Sequence, residues 1–103
     1  MSKQSELNKL AAFIGLEAAH KIVIELTADQ DTINHLQREV DNYGKLAYDR
    51  ANGNWNEQDI TEIREAAIKR CNKKLAGYTE ISDEKYKLIE SKINEIMKGL
   101  ELI

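Results

Sequence analysis

Between Leu7 and Leu26 no more than two consecutive positions lack an apolar side chain, and Leu7, Ala11, Ile14, Ala18 and Ile22 recur at helical spacing. That stripe predicts a first helix over residues 3–26. Its last part, Lys21 to Leu26, also alternates and carries β-branched residues, so a short strand competes there, but the chain offers it no second strand to pair with. Thr27 can cap a second helix, with Gln30 answering in a capping box and Asp31 as a rival cap. Ile33, Leu36, Val40, Tyr43 and Ala47 then step by 3, 4, 3 and 4, the seam of a helix that packs at a shallow angle, here residues 28–50. Ala51-Asn52-Gly53-Asn54 reads as a turn, because Asn and Gly tolerate positive φ.

A third helix is expected over residues 57–76, opened by Asn56 as cap, with Trp55 and Ile60 as a hydrophobic staple. Glu57 and Asp59 suit the positive end of its dipole, Lys73 and Lys74 the negative end, and Gly77 stands just past its close. Ile60, Ile63, Ala67, Cys71, Leu75 and Tyr78 form its apolar face. The fourth helix, residues 83–101, repeats the grammar with Ile81 and Tyr86 as staple and Ser82 as cap, and its seam of Tyr86, Ile89, Ile93, Ile96, Leu100 and Ile103 continues to the last residue.

Composition agrees with this pattern. The chain has 103 residues, no proline, five glycines, and 12 Ile and 10 Leu against 2 Val, a balance that disfavours a sheet with frequent turns. A single all-α domain follows. Helices of about 20 residues are about 30 Å long, and short connections favour antiparallel neighbours, so an up-down antiparallel four-helix bundle is the expected architecture. The alternative is a pair of helical hairpins that complete a bundle as a dimer, with the first two helices joined end to end.

An apolar content of 42% and a charged content of 32% suit a soluble core-forming chain without a membrane span, and a net charge of −3 predicts no general affinity for nucleic acid or an anionic membrane. With one cysteine and no signal-like start, the cytoplasm is the expected compartment.

Candidate chemistry is sparse. Phe13 and Ile24 fall on the polar side of the first helix, and with Leu16 and His20 they form a candidate partner-binding face, for a homodimer or another protein. The alternative function is a metal-binding or metal-dependent bundle. Glu17-x-x-His20 has the i, i+3 spacing that projects a carboxylate and an imidazole to one side of a helix, as in di-iron carboxylate bundles, and His35 and Glu39 would have to complete the set. Glu62 and Glu65 are similar to the magnesium-binding pairs of all-helical nucleotide pyrophosphatases, without a matching second pair. Ile14-Gly15-Leu16-Glu17-Ala18-Ala19 looks like a stretch near the start of phage Mor-type transcription activators; it spans about a tenth of the chain, no helix-turn-helix follows, and it implies nothing further here. Cys71 lies on an apolar face and is expected to be a small buried hydrophobe. Arg64, Lys69, Arg70, Lys73 and Lys74 make the third helix locally basic, and the last four are expected on its solvated side. No cofactor is predicted, and the expected function is that of a small non-enzymatic interaction protein: an adaptor, inhibitor, immunity or phage accessory factor. Gly15, amid Ala11, Ala18 and Ala19, predicts that another helix lies close against the first.

Overall fold

A computed structural model describes residues 2–103. It contains four helices: α1 (Lys3–Leu26), α2 (Gln30–Ala51), α3 (Glu57–Leu75) and α4 (Asp83–Gly99). No strand occurs among the described residues, and Lys21 to Leu26 completes α1.

Each helix opens on a side chain that accepts a hydrogen bond from an otherwise unpaired backbone N–H. Ser2 accepts from Ser5, Asp29 from Thr32, Asn56 from Asp59, and Ser82 from Lys85. At α3 the capping box is reciprocal, since the Asn56 N–H also donates to Asp59 Oδ2 at 3.1 Å. Neither Thr27 nor Asp31 caps α2. Asp29 does, while the Thr27 N–H donates to the Val23 carbonyl and closes α1. Two expected roles for glycine also change. Gly53 and Gly77 both have negative φ, and a Cβ at Gly53 would meet the Trp55 indole at 2.9 Å, so Gly53 serves the ring lying over it and not a left-handed turn. Trp55, Ile60 and Ile81 pack against the core, whereas Tyr86 is exposed.

The fourth seam stops short of the last residue. Glu101 adopts φ 60°, its N–H donates to the Lys98 carbonyl, and the Leu102 N–H reaches back to Met97 at 2.9 Å. This paired closure is a Schellman motif, with Glu101 in the left-handed place that glycine usually fills. It turns Leu102 into the core and leaves Ile103 exposed.

The helices form a bundle with α1 at its centre. α1 packs against α2, α3 and α4, and α3 packs against α4; among the described residues α2 has no backbone neighbour on α3 or α4. The ion pair of Arg50 with Glu6 sets the end of α2 beside the start of α1, and Lys3–Asp59 sets the starts of α1 and α3 together. From α1 to α3 consecutive helices therefore alternate in direction. The core is built from Leu7, Leu10, Ile14 and Ile22 of α1 with Ile63 and Leu75 of α3 and Ile89, Ile93 and Met97 of α4, all essentially inaccessible to solvent. α2 buries only Leu36, Val40 and Ala47. A helix apolar on more than one face has either a central place or an outside partner, and α1 has the central place.

Close contact between α1 and α3 depends on Gly15. A Cβ there would lie 2.6 Å from the Ala67 carbonyl oxygen and 2.8 Å from Arg70 Cβ, distances at which backbone must move. The expected neighbour is thus α3.

Candidate functional site

The four residues expected to face a partner share one side of α1, and α2 lies over part of it. The Phe13 and Tyr43 rings stack with centroids 6.3 Å apart, and the Arg50 guanidinium carbon lies over the Phe13 ring, 5.1 Å from its centroid. His20 is buried and stacks on Tyr43 at 5.5 Å. Its Nδ1 lies 2.7 Å from the Leu16 carbonyl, which can only accept, so Nδ1 carries the proton. Ile24 is half-buried against the core. The chain's own α2 therefore supplies the contact for Phe13 and His20, and Leu16 is left beside an opening.

Glu17 and His20, candidates for a metal set or a partner face, are both buried. Glu17 is accommodated because Gly44 of α2 has no side chain: a Cβ there would sit 3.0 Å from Glu17 Oε1. Oε2 pairs with Lys21 Nζ at 3.2 Å. Loss of water raises the Glu17 carboxyl above its ordinary range, the nearby Lys21 ammonium lowers it by less, and Asp41 adds to the rise. His20 is held by Tyr43 and Leu16, His35 is exposed and Glu39 half-buried. Among the described residues no three His, Cys, Asp or Glu side chains converge as metal ligands would, and Glu62 with Glu65 gathers no third acid. Cys71 is fully buried in the core, and burial pushes its thiol up to about 12, so it stays protonated.

The opening beside Leu16 is a groove. α2 and α3 each lie on α1 without meeting, and the space between them, about 590 Å³, is lined by Leu16 below, Tyr43 on the α2 side, and Arg70, Lys73, Lys74, Gly77 and Tyr78 on the α3 side. A second cleft of about 440 Å³ continues it past Tyr78 to Val23, Leu26 and Thr32. Compared with family models, curated proteins and solved structures, the chain matches none.

Lys69, Arg70, Lys73 and Lys74 are all exposed, as expected, but they do not all lie opposite the apolar face of α3. At about 100° per residue Arg70 and Lys74 are only about 60° and 20° from Ala67, and the Arg70 stem touches Gly15. They flank the apolar face and border the groove. Lys3, Lys21, Arg50, Arg64 and Lys92 each pair with a carboxylate. Arg70, Lys73 and Lys74 enter no ion pair among the described residues. The cations were legible in the sequence; their meeting with Tyr43 was not, because it depends on which flank of α1 each neighbour occupies.

Proposed function

We propose that this chain is a small cytoplasmic interaction protein that binds another protein, or a second copy of itself, by shape and apolar contact along the Leu16 side of α1. The observation that supports the reading is the groove itself: α2 and α3 leave Leu16 half-exposed between them, with Tyr43 and Tyr78 at its edges. Aromatic side chains beside an apolar floor are the usual anchors of a binding surface. Phe13 and His20 act from behind by holding Tyr43, and Ile24 packs against the core on the same helix.

The reading is tested by affinity capture with the parent chain, a Leu16→Glu variant and a Tyr78→Ala variant, each first shown by circular dichroism to be folded. A bound protein that the groove variants lose and an exposed-site variant such as Glu65→Gln keeps is the expected result. Capture that is equal for all four chains would sink the proposal. Light scattering over a range of concentrations decides whether the captured species is a second copy.

A further inference from the structure

We infer that the groove takes an acidic amphipathic helix of a partner protein, an inference that rests on the groove being the binding surface. The apolar positions along it lie on one stretch of α1: half-buried Leu16 and exposed Leu26 stand ten residues apart, about 15 Å of helix, with Val23 buried between them. A second helix laid along it would meet that stretch with its own i, i+3, i+7 side chains, the usual geometry of a helix in a groove. Two helices form the walls, and Leu26 and Tyr78, each 54% exposed, are the apolar surface such a helix would cover.

Charge selects the kind of helix. Arg70, Lys73 and Lys74 stand together along one wall and, among the described residues, pair with no carboxylate, whereas Lys3, Lys9, Lys21, Arg50, Arg64 and Lys92 each do. Carboxylates along the flank of the docked helix would meet them, steering its approach and fixing its direction. A nucleic acid fits less well, since the cations line a single wall and apolar side chains lie beside them. A second copy fits less well too, because the apolar faces of its α3 and α4 are already spent in its own core, with Ile63, Leu75, Ile89, Ile93 and Met97 inaccessible.

The test is selection from a library of helical peptides with a fixed apolar seam and flanking positions varied between Glu and Lys, displayed against the folded full chain. Selected sequences are expected to carry Glu on one flank and to bind about tenfold tighter than their Lys-swapped counterparts by fluorescence anisotropy, with the preference fading as salt rises. Arg70→Glu, Lys73→Glu and Lys74→Glu, on exposed side chains, are expected to abolish or invert it. No enrichment of Glu, or a preference that survives these reversals, overturns the inference, as does displacement of the peptide by an equimolar single-stranded oligonucleotide. The two levels separate cleanly. Peptides that lose binding with Leu16→Glu or Tyr78→Ala but ignore the charge reversals leave the groove standing and remove the acidic helix; peptides that ignore all of these substitutions remove both.

Discussion

Glu17 is a carboxylate placed where a bundle would ordinarily put an apolar or small side chain. Burial raises its pKa above the ordinary range despite Lys21, so the folded chain holds this proton more tightly than the unfolded chain does. Stability contributed by the protonated group is therefore lost as pH rises from the unfolded value, about 4.3, through the higher folded one. Glu17→Gln is expected to unfold at a higher urea concentration than the parent at neutral pH, with the difference closing below about pH 4. A difference that stays constant across that range would show that desolvation of the carboxylate is not its cause. Cys71 supplies a simpler case: with its thiol inaccessible and pushed up to about 12, it should stay unmodified by a thiol reagent in the folded protein and react once denaturant opens the core. The sequence carried the small buried role of Cys71 plainly, because apolar periodicity marks a core face. It could not show that Glu17 is buried, since that depends on Gly44 arriving opposite from another helix.

Among the elements, the most specific contact is that of α1 with α3. Gly15→Ala gains helix propensity, worth about 1 kcal/mol. The added methyl must displace the Ala67 carbonyl or the Arg70 stem, and overpacking of this kind costs about 1 to 3 kcal/mol. The second effect wins when the obstruction is backbone, so the variant is expected to unfold at lower urea with an unchanged slope. The end of α4 offers the opposite sign. Glu101 sits at φ 60°, where a Cβ costs roughly 1 to 2 kcal/mol, and Glu101→Gly should recover about 1 kcal/mol in thermal or urea unfolding. Most helix boundaries could be read in advance because capping is local chemistry: Asn56 with Asp59, and Ser82, announce their helices within four residues. The start of α2 was misread because Thr27, Asp29 and Asp31 are all competent caps, and only the position where α1 ends chooses among them. The termination of α4 was hidden for another reason, since a hydrophobic period cannot reveal a residue that will accept a strained φ.

Across the whole molecule, burial is uneven. α2 leans on α1 alone and buries three residues, while α1 buries eleven and meets every other helix. Local opening starts where the fewest side chains are buried, so amide hydrogen exchange should be fastest in α2 among the four helices and slowest in α1 and α3. Protection of α2 equal to that of α1 would mean that the molecule opens only as one unit. The same imbalance makes the groove possible, because a tighter bundle in which α2 also touched α3 would have closed over Leu16.

The central position of α1 has a further consequence on the ribosome, where a chain emerges from its N-terminus and its segments become free to fold in that order. α2 follows directly and can fold back on α1, but the opposite face of α1, with Ala11, Ile14, Ala18 and Ile22, is covered by α3 and α4. Of the four helices, the earliest made is thus the last to be fully enclosed. Until the C-terminal half has emerged, the nascent hairpin displays an apolar stripe along most of its length, which is the kind of surface that chaperones waiting at the exit tunnel bind.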